Sequence, residues 1–396
     1  MLLYLLALNP TDSVYEGFLP AAARLGAEIV VLTDEPDPHH RRHPGLRVVA
    51  CQVRDHRAVI GALTDLPPAD GIFTNSDHLQ ASAARAAMHF GLPGKDYRVA
   101  QRVKDKALLR RHLADAGLDT VWSRELAVDE DPSVLAELDI PSPCVVKPRE
   151  GVASEDVVLV TRPAELMMRC KEIRQRRPDT ALVVEEYLDG PLYTLETLGD
   201  GNHRTVLGGF ATTLSAPPYF VELRHTFTPA HPEPIVAQVL AQLDALGIGF
   251  GCCHTEFVVQ YGRARLIEVN YRAIGDHCDL ALEQVLGIPL FERVLRVHLG
   301  ETLPADLGIR HGGAARIDHV CAPASGTLIA APDSHDSITD GVCLSYRKLR
   351  DIGARHEISH TNRDYLGVLR AVGTDSAAVD RAADQFLAAQ RWEVVR

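Results

Sequence analysis

A chain of 396 residues is too long for one small core and implies two or three subdomains. Hydrophobic residues make up 46% and charged residues 24%, the balance of a water-soluble globular protein, and a net charge of −12 argues against nucleic acid or an anionic membrane as the main partner. The eight cysteines show no CxxC pair, and the apolar start MLLYLLAL lacks a basic flank and a cleavage site and is too short to cross a bilayer, so a cytoplasmic protein with reduced thiols is expected.

Residues 1–8 read as a buried strand, ended by Asn9-Pro10-Thr11-Asp12. Ser13 is placed to cap a helix running to about Leu25, with Gly26 as its stop. EIVVLTD (28–34) and LRVVACQV (46–53) are further strands, followed by a helix from Asp55 to Leu63. GIFTN (71–75) is a fourth strand, and residues 76–90 form a helix closed by Gly91. Strands alternating with helices predict a parallel sheet covered on both faces over roughly residues 1–100. No GxGxxG follows the first strand, which argues against a dinucleotide site. Asn9, Thr11, Asp12, Asn75 and Asp77 fall at the carboxyl ends of strands, where open α/β sheets bind ligands. Helix capping is the competing role for Asp12, Ser13 and Asp77.

RVKDKALLRRHLADAG (102–117) has helical spacing and predicts one basic linker helix carrying Lys104, Lys106, Arg110 and Arg111. Residues 118–190 read as a small α/β unit. Its strand PCVVKP (143–148) ends near Lys147, and a loop with Gly151, Ala153 and Ser154 follows. A lysine on a strand before a loop of small residues suits the covering of a triphosphate. A helix at 163–177 and the strand ALVVEEYLDG (181–190) complete the unit. Longer strands then take over, with a hairpin turn at Asp200-Gly201-Asn202 and a helix at 233–246. A helix pair at 279–299 splits at Gly287-Ile288-Pro289; strands in 312–330 and a closing helix at 376–390 follow.

The densest chemistry lies in HTEFVVQYGRARLIEVNYRAIGD (254–276). Two alternating segments flank Tyr261-Gly262-Arg263, the pattern of a β-hairpin. Glu268 and Asn270 are two apart and leave the same face; pairing around the turn brings Glu256 to it. Two carboxylates and an amide oxygen suit a hard cation such as Mg²⁺, which adds phosphate and water to such ligands. Arg272 follows on the same side as a fork for phosphate oxygens. The plain alternative is a solvated hairpin, which leaves unexplained why three oxygen ligands and an arginine share a face. Cys252-Cys253-His254 is not a zinc site: adjacent cysteines point to opposite faces and no second ligand pair has matching spacing.

In this order, KDKALLRRHLADAGL (104–118), PCVVKP, VVEEYLDG (183–190), HTEFVV (254–259) and LIEVN-Y-R (266–272) resemble the motifs of the ATP-grasp superfamily of carboxylate–amine ligases, over residues from about 100 to 330. The resemblance implies an ATP-grasp fold of mixed α/β and α+β class: an N-terminal parallel α/β domain (1–100), a linker helix (101–118), a small lid subdomain (119–190) and a C-terminal subdomain with the metal and substrate site (191–396). It implies that Lys106 and Lys147 bind ATP phosphates beneath a lid containing Ser154, and that Glu185, Glu186 and Leu188 hold adenine, partly through backbone groups. Glu256 and Glu268 would hold Mg²⁺ (Mn²⁺ being an alternative), with Glu268 bridging two ions and Asn270 completing the second. Arg272 would contact the γ-phosphate or an acyl phosphate. Homodimers are common among such relatives.

Three departures stand out. The family's ribose-binding Glu is replaced by Leu192, which makes Glu196 the next candidate. The lid loop, Arg149 to Asp156, carries one Gly where many relatives carry several. Ala273-Ile274-Gly275-Asp276-His277 stands where relatives often show Gly-Gly, and Asp276 and His277 there could bind an amine or a polar carboxylate, or simply begin a helix.

The reaction so implied starts with a carboxylate that attacks the γ-phosphate of Mg-ATP, giving an acyl phosphate and ADP. An amine, or in second place a hydroxyl or thiol, then displaces phosphate. Arg272, His254 and Arg316 are candidates to hold the carboxylate; for Arg316, in GGAARIDHV, the alternative is a surface arginine on a strand. The opening LALNPTDSVYEGFLPAAARLG is similar to that of members in siderophore and peptide-like metabolite pathways. Competing readings are a carboxylase-type subunit using bicarbonate, a kinase, and a regulatory protein that binds ATP without ligation.

Overall fold

The computed structural model describes residues 1–307 and 312–396. Strands β1 (Leu2–Leu6), β2 (Glu28–Thr33), β3 (Val48–Ala50) and β4 (Gly71–Phe73) form a parallel sheet in the order β3-β2-β1-β4. Between and after them run α1 (Leu19–Arg24), α2 (Pro36–Arg42), α3 (His56–Thr64) and α4 (Gln80–His89). The apolar run at the start has a simple cause. Leu3 and Leu5 face one core, shared with later helices, while Tyr4 and Leu6 face another with Val59 and Ala83. A strand buried on both faces cannot alternate apolar with polar residues.

Two expected helices are broken. Ser13–Phe18 make a π-helical turn, with Thr11 O accepting from Val14 and Tyr15, and only then does α1 begin. Pro20 lacks an N–H, so the regular ladder changes pitch ahead of it. Asp12 stands at the cap position without making a cap bond, and Ser13 is buried within the turn. The linker is likewise two helices, α5 (Tyr97–Lys104) and α6 (Lys106–Asp115). Asp105 between them is extended (φ −86°, ψ 105°) and its Oδ1 accepts from Ala107 N and Leu108 N, both at 3.0 Å. The cap replaces a continued helix with a new start. That start swings Lys106 off the solvated face and into the cleft described below.

Strands β5 (Ser123–Leu126), β6 (Cys144–Pro148) and β7 (Val158–Val160), helix α7 (Pro163–Arg176) and strand β8 (Leu182–Glu186) form an antiparallel sheet, β5-β8-β6-β7, under one helix. Leu166, Cys170 and Ile173 of α7 pack on it. Then come β9 (Leu192–Asp200), β10 (Arg204–Leu214), β11 (Glu222–Thr228), α8 (Glu233–Leu246), β12 (Phe250–Gln260) and β13 (Arg263–Asn270). Helices α9 (Cys278–Leu286) and α10 (Leu290–His298) follow, then β14 (Ala314–Cys321), β15 (Gly326–Ala330), β16 (His335–Thr339), β17 (Val342–Lys348), β18 (Arg355–His356), β19 (Tyr365–Gly373), α11 (Ser376–Ala389) and β20 (Glu393–Val395).

Nine of these strands form one antiparallel sheet, β13-β12-β9-β10-β11-β14-β19-β17-β16, and β18-β15-β20 make a small one. The β12–β13 turn has positive φ at both central residues, 51° at Tyr261 and 74° at Gly262, the geometry that matches strand twist in a two-residue hairpin. Among the described residues no helix is long and apolar enough to cross a membrane. All eight cysteines are free.

Candidate active site

A cleft of about 920 Å³ opens between the β5–β8 sheet and the nine-stranded sheet, closed at its inner end by loops after β1 and β4. Its size is ordinary for a small-molecule site. Lys106, Lys147, Ser154, Leu188, Glu256, Glu268, Asn270 and Arg272 all line it.

The hairpin puts Glu256 opposite Glu268 and His254 opposite Asn270. Like charges facing across strands repel. Here Lys106 Nζ lies 2.8 Å from Glu268 Oε1, and His254 Nε2 lies 3.2 Å from Glu256 Oε1. Burial by itself would favour a neutral His254 ring. The carboxylates of Glu196, 2.8 Å from Nδ1, and of Glu256 outweigh burial and raise its pKa to about 10. Glu256 is pushed upward by burial, against the pull of His254, and further by the charges of Glu222 and Glu268. Among the described residues no three His, Cys, Asp or Glu side chains converge as a metal cage. A cation at Glu256, Glu268 and Asn270 therefore needs oxygens from a ligand, which is how Mg²⁺ is usually held beside phosphates, so the donor set fits that ion.

Lys147 is aimed by a buried ion-pair network. Its Nζ is 2.7 Å from Glu185 Oε2, and Arg110 of α6 grips the same carboxylate, with Nε 3.0 Å from Oε1 and Nη2 2.9 Å from Oε2. Burial works to raise the Glu185 pKa; Arg110 and Lys147 overcome it and hold it at about 2. Glu186 is also engaged, accepting from Trp122 N at 3.0 Å and Arg265 Nη2 at 3.1 Å. This stretch thus offers a ligand its backbone and the Leu188 side chain, in an apolar slot with Val145, Leu192, Leu214, Val258 and Ile267.

The loop after β6 covers the cleft. Ala153, Ser154 and Asp156 adopt φ of 57°, 55° and 57°, a left-handed conformation costing an L-residue about 1–2 kcal/mol. Ion pairs hold them there: Asp156 with Arg176 and Arg177, and Glu155 with Arg177 and Arg363. Asn362 N donates to Ala153 O at 3.2 Å, and Lys106 Nζ donates to Gly151 O at 3.2 Å.

At the inner end, Asp77 Oδ2 accepts from Arg272 Nε at 2.5 Å and Asn75 Oδ1 accepts from Ala273 N at 3.1 Å. Asp12 pairs with His277 at 2.7 Å and with Arg42. These strand-end residues brace the segment after β13 and cap no helix. Two further lining residues had no signal in the sequence. Glu222 and His225 are three apart on β11, which in a regular strand puts them on opposite faces. A bulge, in which Leu214 faces Glu222 while Thr213 faces Arg224, takes up one residue and brings them together, with His225 Nε2 3.5 Å from Glu222 Oε2. Asn362 Nδ2 donates to the same oxygen at 3.1 Å, and His319 of β14 stacks on Tyr365 with ring centres 4.2 Å apart.

Two expected site residues lie elsewhere. Glu196 does not reach the cleft; its carboxylate is buried beneath His254 as that ring's partner. Arg316 is 2% exposed and turned away from the cleft, among Asp318, Asp380 and Asp384. Alternation along β14 is the reason. Ala314 and Arg316 face α11, whereas Ile317 faces the core under α9 and His319 the cleft. Lys95 was missed, as a lone lysine in a loop. Now 8% exposed, it donates to Gln80 Oε1 at 2.7 Å and to Tyr271 O, clamping the chain just past Asn270, and burial lowers its pKa to about 8.

A family model described as an ATP-grasp domain matches residues 140–280. The uncharacterized protein y4rH of Sinorhizobium fredii is 26% identical over 339 residues, 82% of this chain and 69% of that protein. Alanine–anticapsin ligase of Bacillus amyloliquefaciens is 25% identical over 264 residues, 59% of this chain and 55% of that protein, so the match spans about half its length. In fold, the chain is similar to L-amino acid ligase from Bacillus licheniformis, with a TM-score of 0.82 across 100% of this chain and 99% of that one, at 22% identity.

Proposed function

We propose that the chain, whose residues 140–280 match an ATP-grasp domain and whose fold is similar to that of an L-amino acid ligase, is an ATP-dependent ligase that joins a carboxylate to an amine through an acyl phosphate, releasing ADP and phosphate. One observation carries this reading: Lys106 and Lys147 share a cleft with the Glu256–Glu268–Asn270 face, an apolar slot and Arg272. Phosphoryl transfer needs positioned charge more than a protein nucleophile.

The residues divide the work. Adenine occupies the slot around Leu188. Lys147, aimed by Glu185, and Lys106 neutralise phosphate oxygens. Glu256, Glu268 and Asn270 would hold Mg²⁺, which supplies further charge neutralisation when bound. Arg272, braced by Asp77, orients the oxygens of the acid and then of the acyl phosphate. Ser154 and the rest of the 149–156 lid exclude water, which would hydrolyse that intermediate. The sequence-based division into residues 1–100, 101–118, 119–190 and 191–396 fits these roles, with 119–190 as the moving lid. Amino acids and small carboxylates such as citrate are the substrate class we favour, in the assembly of peptide-like metabolites or siderophores.

ADP formation, measured with Mg-ATP over a panel of L-amino acids and citrate, tests the reading. Stimulation by a specific acid and amine is expected, with an amide found by mass spectrometry. A phosphate ester as sole product would make the protein a kinase, and ADP release unaffected by any acid would remove the ligase reading.

A further inference from the structure

We propose, on the ligase reading above, that Asp276 is the counter-ion and proton acceptor for the ammonium group of the acceptor amine, in the cleft that the His319 ring also lines.

Charge pairing singles out Asp276. Every other Asp or Glu that lines the cleft, from Asp12 to Glu268, has a partner in the protein. Asp276 makes no hydrogen bond or ion pair among the described residues. It is open to the water of the cleft yet ringed by Glu222, Arg272, His225 and His277. Partial withdrawal from bulk water between the cleft walls, and then the Glu222 charge, push its carboxyl up from the ordinary value. An arriving cation would relieve that repulsion.

The backbone holds it at a cost. Asp276 has φ 53° and His277 φ 69°, two consecutive left-handed residues that are not glycine. Such strain persists where the surroundings over-determine it, and it clusters at functional sites. Here the flanks are fixed by Arg272 on Asp77 and by His277 on Asp12.

His319 gives an independent pointer to a ligand. It is 6% exposed, lines the same cleft, and neither ring nitrogen has a partner among the described residues. Tyr365 covers its face and His225 meets it edge-on at 5.5 Å. Burial keeps the ring neutral, so it presents one donor and one acceptor.

The chemistry selects the occupant. A free carboxylate repels the acid substrate, whose place is beside Arg272, and among the described residues no three metal-ligating side chains converge. A protonated amine satisfies both conditions. In the transfer, one N–H⁺ proton passes to the Asp276 carboxylate and the freed lone pair forms the C–N bond at the acyl carbon. The C–O bond to phosphate breaks, its electron pair leaves with phosphate, and phosphate takes the second nitrogen proton.

The test uses the full chain with Mg-ATP, the common L-amino acids and 1,4-diaminobutane. Hydroxylamine, uncharged near neutral pH, serves as the acceptor that needs no counter-ion. In Asp276→Asn the ratio of amide to hydroxamate falls by roughly a hundredfold, and Asp276→Glu restores part of it. Hydroxamate made by the variant shows that it folds and forms the acyl phosphate. An unchanged ratio overturns the role of Asp276 and leaves the ligase reading standing. A wild-type chain that makes neither hydroxamate nor amide overturns both.

Discussion

Glu256 and Glu268 are register partners on adjacent antiparallel strands, two carboxylates face to face inside one cleft. Lys106 and His254 offset the repulsion only in part. Glu268→Gln keeps the shape and removes a charge. ADP formation should fall by about 10²–10³-fold, and the rise in melting temperature caused by Mg-ATP should vanish, while the unliganded protein melts where the wild type does. Turnover near the wild-type rate would exclude Glu268 from phosphate chemistry.

Glu185 holds Lys147 and Arg110 in a buried network, so Glu185→Gln leaves two cations short of a partner. The expected loss is about 3–5 kcal/mol in denaturant unfolding. The carboxyl sits at about 2 in the folded chain against an ordinary 4.5. A depressed acid stabilises fully above pH 4.5 and loses that stabilisation as pH falls from there through about 2. The gap between wild type and variant should therefore close over that window. A gap that stays constant down to the acid limit would show that the charge is not what the network uses.

Arg316 serves the sheet and not the substrate. Arg316→Met strands Asp318, although Arg224 Nε remains 2.7 Å from it. A loss of about 2 kcal/mol is expected, with KM for ATP, acid and amine unchanged. A shifted KM at unaltered stability would return Arg316 to the site.

Asp105 starts α6 and so places Lys106. Asp105→Ala removes the cap, a loss of about 1 kcal/mol, and releases Arg149 Nε, 3.3 Å away, while Arg149 Nη1 stays on Glu125. KM for ATP should rise, and Asp105→Asn, which still caps, should restore most of it. Equal KM values in all three proteins would uncouple the cap from Lys106.

The sequence by itself determined what nearest neighbours and local burial encode. The apolar run of β1 specified a strand covered on both faces, and the Tyr261-Gly262 turn with its alternating flanks specified the hairpin that pairs Glu256 with Glu268. Five short motifs in order carried the resemblance to the ATP-grasp superfamily, whose domain model matches residues 140–280. Tertiary structure decided which side chains meet across long separations. The bulge in β11 joined Glu222 to His225, α11 claimed Arg316, and His254 covered Glu196. It also spent His277 on Asp12 and left Asp276 without a partner among the described residues. Strand periodicity fixes only that alternate residues part company; which face meets the cleft depends on register, bulges and the helix laid on top, and those are set by segments tens to hundreds of residues away.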